Sequence, residues 1–317
     1  MKNQLIILCI TICSGFSTMA QIKVTQTAKA IIKEEVVKYD SNTNLVQNGK
    51  ELLGQELFVI PKREKMKKIG YFDFFKAYKE TQEDFSSTDS EELFSGKTFV
   101  VEEVLFPYGQ KTFDTNLGKR YILKLRDKAS DTIYYFKYDP RFEARFPFII
   151  LGFYEKQKTA CIGKQMVVKK QNWREKINSE EPALYDCKTG QEVVTDIDDV
   201  WTVQELSLED KYLTLSYTIT NKKGETLTID IYSLNDYKHF YGPYALWLDK
   251  TLLQIKTNQP GMYQALMSNK VKIGMTEEMV RMAWGEPREI KHSSYNDQWI
   301  YREQYLYFKN GILSHFN

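Results

Sequence analysis

Two stretches of this chain alternate apolar and polar residues so regularly that they dictate antiparallel strands. Tyr121, Leu123 and Leu125 alternate with polar residues except at Ile122; Asp127 to Asp131 then turns the chain, and Thr132-Ile-Tyr-Tyr-Phe-Lys-Tyr138 returns. Further on, Leu213, Leu215, Tyr217 and Ile219 share one face, Asn221-Lys-Lys-Gly224 turns, and Leu227, Ile229 and Ile231 answer on the way back. A period of two places every second side chain on the same face of a pleated strand, so each stretch reads as a half-buried hairpin. The 21 tyrosines and 18 phenylalanines favour strands too. Residues 50–235 are therefore expected to be mostly β.

A short phrase recurs around these hairpins: a glycine, one or two polar residues, then a β-branched or aromatic run. It occurs at Gly54-Gln-Glu-Leu-Phe-Val-Ile60, Gly96-Lys-Thr-Phe-Val-Val101 and Gly163-Lys-Gln-Met-Val-Val168. A glycine turn feeding a short buried strand is how small β modules often begin. At 317 residues, two or three domains are expected. We place a first β module at 49–155 and a second at 156–250, divided where Glu155-Lys-Gln-Lys-Thr159 interrupts the apolar pattern. Both resemble SH3-like barrels. Within the first, Tyr71, Phe74, Phe75 and Tyr78 fall on one helical stripe, which reads as a core-facing helix. The basic run Pro61 to Lys68 and the acidic run Ser86 to Glu92 read as solvated.

From residue 259 the pattern changes. Pro260-Gly261 marks a turn and Met262 to Asn269 a helix. A second helix is defined at both ends: Thr276 can cap it, Glu277 and Glu278 suit the positive end of its dipole, and Gly285 followed by Pro287 stops it. Met279, Val280, Ala283 and Trp284 lie on one side. Gln298 to Tyr301, Tyr305 to Phe308 and Leu313 to Phe316 read as strands, the last two joined through Lys309-Asn-Gly-Ile312, whose Asn310-Gly311 pair suits a turn that needs positive φ. Ile273-Gly-Met-Thr276, Val280, Gly285-Glu-Pro287, Trp299-Ile-Tyr301 and Phe308-Lys-Asn-Gly311 together resemble the SmpA/OmlA family, the fold of the outer-membrane assembly lipoprotein BamE. The resemblance covers 259–317. It implies a two-helix, three-strand (ααβββ) domain, a cell-envelope setting and work done by binding other proteins. The expected fold class is thus α+β, mostly β, with β modules ahead of a BamE-like domain.

The first twenty residues combine Lys2, the apolar run Leu5 to Cys13 and a small-residue stretch ending Thr18-Met19-Ala20. That is the form of a secretory signal cut before Gln21, and its apolar core is too short to span a bilayer. The competing reading, a lipid anchor at Cys13, is disfavoured because Ile12 stands where such signals place a small residue. Residues 21–48 read as a leader, partly helical or disordered. The expected location is exported, periplasmic or outer-membrane associated. Cleavage leaves 43 basic against 42 acidic residues, since Lys2 is the one charge removed. This near-neutral balance gives no electrostatic footprint for nucleic acid. It also leaves two cysteines, Cys161 and Cys187, which an oxidising compartment invites to pair; a bridge would stabilise by about 3–4 kcal/mol.

No arrangement of residues carries an obvious reaction. The three histidines, His239, His292 and His315, sit in no metal-binding or serine-nucleophile pattern, and no glycine-rich phosphate loop occurs. Asp196-Ile-Asp-Asp199 lacks the glycine and terminal glutamate of a calcium loop and reads as a solvated turn. The expectation is a protein that is not an enzyme, uses no cofactor or metal, has no membrane span, and binds an envelope protein partner. Trp299, Tyr301 and Tyr305 are the candidate contact residues, with core packing as their competing role. The alternative is glycan or peptidoglycan binding, with or without hydrolysis, by the β modules.

Overall fold

The computed structural model describes residues 38–78, 91–106, 120–169, 184–208, 214–231, 244–293, 296–301 and 304–317. These form an α+β structure dominated by antiparallel strands. In the first unit, β1 (Glu56–Val59), β2 (Phe74–Phe75), β3 (Thr98–Leu105), β4 (Tyr121–Asp127), β5 (Ile133–Tyr138) and β6 (Phe148–Ile150) make one sheet of order β2-β5-β4-β3-β1-β6. Two one-turn helices, α1 (Glu64–Lys67) and α2 (Glu91–Phe94), lie between its strands. Helix α3 (Leu151–Cys161) leads to the second unit: β7 (Gln165–Val168), the small pair β8 (Leu184–Tyr185) and β9 (Glu192–Val193), then β10 (Val200–Leu208), β11 (Leu215–Asn221), β12 (Thr226–Asp230) and β13 (Ala245–Trp247). Its main sheet has the order β12-β11-β10-β7-β13.

The two sheets are built on one plan. Strand β1 lies between β3 and β6 just as β7 lies between β10 and β13, and β3-β4-β5 and β10-β11-β12 are both meanders. Phe99 faces Asp127 across the first meander and Trp201 faces Asn221 across the second. Each long strand shifts register at the same place, between Val101 and Glu103 and between Val203 and Glu205. Gly54 N–H donates to Val101 O at 2.8 Å, and Gly163 N–H to Val203 O at 2.9 Å. Both glycines take a positive φ (76° and 82°), as does Gly96 (68°), which is why glycine opens all three copies of the phrase. Asp127 and Asn221 end the matching strands, and each accepts from the amide two residues on, Ala129 and Lys223, both at 2.9 Å. That local bond is the chemistry that makes Asx residues turn formers. Neither sheet closes into a barrel: among the described residues no pairing joins β6 to β2 or β13 to β12.

Period-two burial supplies the core. Along β5, Tyr134, Phe136 and Tyr138 are buried; along β11 and β12, Tyr217, Ile219, Leu227 and Ile229 are buried. In the first unit Phe74 stacks on Phe94 (centroids 4.0 Å) and packs against Phe136 (5.0 Å) and Phe148 (5.6 Å). One continuous apolar cluster runs from this centre through Phe153 and Cys161 of α3 to Trp201 and Tyr217 of the second sheet.

Several expectations change here. The stripe from Tyr71 to Tyr78 is no helix: Gly70 (φ 62°) and Asp73 (φ 68°) take left-handed conformations that break one, and only Phe74–Phe75 pair, as a strand. Tyr71, Phe74 and Phe75 are nonetheless buried, so the core role stands. The interruption at 155–159 lies inside α3. Of the 21–48 leader, 38–48 is anchored: Tyr39 and Val46 are buried, Asn44 bonds to Phe148 O and Ile150 N (both 2.8 Å), and Tyr138 donates its hydroxyl proton to Val46 O. Residues 1–37 lie outside the described part. So does most of the acidic run at 86–92. Asp198 and Asp199 of the acidic turn pair with Lys256 (2.6 Å) and Lys223 (2.9 Å). Among the described residues no helix is long and apolar enough to cross a membrane.

Candidate functional site

The C-terminal part consists of α4 (Lys250–Asn258), α5 (Pro260–Met267), α6 (Glu277–Trp284) and a four-stranded antiparallel sheet: β14 (Glu289–Lys291), β15 (Asp297–Ile300), β16 (Tyr305–Lys309) and β17 (Ile312–Phe316), in that order. It holds one strand more than the three expected, because Arg288 N–H bonds Ile300 O at 2.8 Å and starts β14 directly after the Gly285-Glu-Pro stop. The extra helix α4 begins at Asp249, whose carboxylate accepts from Leu252 N–H at 2.9 Å.

The signature at 273–287 builds this domain. Thr276 Oγ1 accepts from Met279 N–H at 3.2 Å and caps α6. Gly274 (φ 93°) donates to Leu313 O and Met275 O accepts from Leu313 N–H, both at 2.8 Å, so this loop covers the outer edge of β17. Gly285 takes φ 81°, ψ −163°, a region open essentially to glycine alone. Tyr301 Oη donates to Gly285 O at 2.8 Å. Trp284 Nε1 donates to Asn269 O at 2.8 Å. At the β16–β17 turn Asn310 and Gly311 both have positive φ (52° and 74°), as a two-residue hairpin requires.

The three aromatic candidates separate. Trp299 is 1% exposed, packs on Phe308 (centroids 4.5 Å) and carries the Arg281 guanidinium 4.2 Å over its ring, so it is core. Tyr301 is half-buried and spends its hydroxyl on Gly285; burial raises its pKa. Tyr305 is 41% exposed and stands on the face turned away from the helices. Register extends that face beyond what the sequence singled out. Ile300 lies opposite Tyr305, and Gln298 opposite Tyr307 opposite His315, so these side chains share the outer surface. Gln298 Nε2 donates to Tyr307 Oη at 3.0 Å, and Tyr307 and His315 stack at 4.2 Å with 4° between their planes. Exposed Ile312 adjoins this row. Alternation counted outward from Tyr305 along β16 was the available signal for Tyr307.

The surface is therefore an aromatic and aliphatic row with polar ends at Glu289, Lys291 and Lys309. The loop at 274–276 closes one sheet edge, and the opposite edge strand is short and charged, so contact through the face is the geometry left open. Its inner side is not confined to 259–317. The cluster around Trp299, Leu306, Phe308 and Leu313 also takes in Val167, Leu246, Leu252 and Ile255. The sheet is thus seated on the second β unit and does not form a separate body.

No bridge joins Cys161 to Cys187; both are free thiols. Cys161 points into the core, its thiol 3.8 Å from Gln157 Oε1, which also accepts from Tyr217 Oη at 3.2 Å. Cys187 is exposed on the β8–β9 turn, held by its own N–H to Thr226 O at 2.9 Å. Among the described residues no group of three or more His, Cys, Asp or Glu side chains is placed to hold a metal ion. No protein-family model, no curated protein and no solved structure matches the chain.

Proposed function

We propose that this protein is exported to the bacterial envelope and binds another protein through the outer face of its C-terminal sheet, with the two β units as the support. The observation that carries this reading is the exposed row around Tyr305, backed by the rigid core of Trp299 and Phe308. Tyrosine-rich faces with apolar neighbours and a polar rim are the composition of protein interfaces. Export rests on the form of residues 1–20. The likeness to the SmpA/OmlA family supports the same reading, through its two helices ahead of antiparallel strands; α4 and β14 depart from that pattern. We read the two β units as open SH3-like modules, because each places its first strand between a bent meander and the last strand.

Affinity capture from envelope extracts with the mature chain, wild type and Tyr305→Asp, tests the proposal. A protein recovered by the wild type and lost with the variant supports it. Equal recovery by both overturns it, and retention on isolated cell-wall sacculi would instead favour glycan binding by the β units.

A further inference from the structure

The first β unit carries a cleft of about 80 Å³ beside β5, floored by Phe136 and Phe146 and rimmed by Asp73, Arg120, Asp139 and Arg145. Asp139 is already satisfied: Arg141 grips it with two bonds, Nε to Oδ1 at 2.8 Å and Nη2 to Oδ2 at 2.6 Å. Arg120 reaches the same carboxylate only through Nε, at 3.3 Å, so its Nη fork bonds to no described residue. Arg145 stands 3.7 Å from Asp73, too far for a hydrogen bond, and is 65% exposed. The Asp73 carboxyl accepts no hydrogen bond from any described residue although it is 15% exposed. Burial raises its pKa. Arg145 and Asp73 are thus an ion pair without a hydrogen bond, and beside them the Arg120 fork has donors left over, above an aromatic floor.

The fold does not demand this arrangement. The matching strand of the second unit has Ile229, Asp230 and Ile231 where β5 has Phe136, Lys137 and Tyr138, and among the described residues no strand pairs with β12 as β2 pairs with β5. Asp73 is held at a positive φ of 68° by the bond from Lys137 N–H to its carbonyl (2.9 Å).

We propose that this cleft binds an α-amino carboxylate, with Arg120 and Arg145 taking the carboxylate and Asp73 taking the neighbouring N–H or ammonium donors. A guanidinium fork matches a planar carboxylate, and the cleft has room for a small residue such as alanine. The ligand is either a free amino acid or the last residue of a peptide. This site is separate from the C-terminal face, and its failure leaves the partner-binding reading untouched.

Saturation-transfer NMR on the mature full chain, with alanine, N-acetylalanine and acetate as probes, tests it. Alanine or N-acetylalanine is expected to bind at least about tenfold more tightly than acetate, the worth of one charged hydrogen bond. Tighter binding of alanine identifies a free amino acid; tighter binding of N-acetylalanine identifies a peptide terminus. Arg120→Gln and Arg145→Gln are each expected to weaken binding about tenfold. Asp73→Asn retains a residue that tolerates positive φ and should weaken alanine more than N-acetylalanine. Circular dichroism that matches wild type keeps these losses separate from misfolding. Absence of transfer to all three probes, equal binding of acetate and alanine, or affinity untouched by both arginine variants would overturn the proposal.

Discussion

Nζ of Lys169 donates to the carbonyl of Ala283 at 2.8 Å and to that of Met282 at 2.9 Å, from a position 1% exposed at the end of β7. These are carbonyls of the last turn of α6, which the helix itself leaves without partners. In the first β unit the equivalent position is Ile60: Ile60 N–H bonds Pro147 O at 2.9 Å as Lys169 N–H bonds Tyr244 O at 2.8 Å. One copy of the repeat thus places a hydrocarbon where the other places a lysine amine that ties the C-terminal helix to the second sheet.

Lys169 makes stability depend on pH with a definite sign. Burial pushes its pKa from 10.5 down to about 7. The folded state then binds fewer protons than the unfolded chain between those values, so stability rises with pH across that window, by at most about 1.4 kcal/mol per unit. The two carbonyls oppose this by favouring the charged form. Urea unfolding from pH 7.5 to 9.5 should show the rise in the wild type and a flatter profile in Lys169→Met. Lys169→Ala, which leaves a cavity and two buried carbonyls unpaired, should cost about 3 kcal/mol.

Trp299 and Tyr305 should respond oppositely to truncation. Trp299→Ala removes a buried ring and the platform for Arg281, and should cost about 3–5 kcal/mol in chemical denaturation. Tyr305→Ala should stay within about 0.5 kcal/mol of wild type. The pair separates a fold residue from a contact residue on adjacent strands.

Gly285→Ala should destabilise by about 1–3 kcal/mol, because its φ of 81° and ψ of −163° are closed to a residue with a Cβ. Thermal melting measures the loss. A neutral result would mean that the Gly-Glu-Pro stop is adaptable.

Alkylation of the native protein should modify Cys187 and spare Cys161 until denaturant is added, as their exposure dictates. Peptide mapping by mass spectrometry reads the difference directly.

Much of this architecture was legible where local chemistry leaves few choices. Asn310-Gly311, the Asp127 and Asn221 turns, and the Thr276 to Gly285 limits of α6 each need a particular backbone conformation or a capping oxygen, and the residues declare it. Alternation located β4, β5, β11 and β12 for the same reason. It could not assign faces between sheets, so Trp299 and Tyr305 looked alike until Trp299 was found opposite Leu306, on the inner side, and Tyr305 opposite Ile300, on the outer. The stripe from Tyr71 to Tyr78 misled because three- and four-residue spacing fits a helix, whereas positive φ at Gly70 and Asp73 forbids one. Lys169 and the Arg120–Asp139 cleft depend on contacts between distant segments, which no local pattern records.

The most direct test of partner binding places a photo-crosslinking phenylalanine analogue at position 305 in cells of the native host. Position 253, an exposed leucine on α4, serves as control. The account predicts one discrete protein adduct from position 305 and none from 253. No adduct at 305, or the same products from both positions, would contradict it.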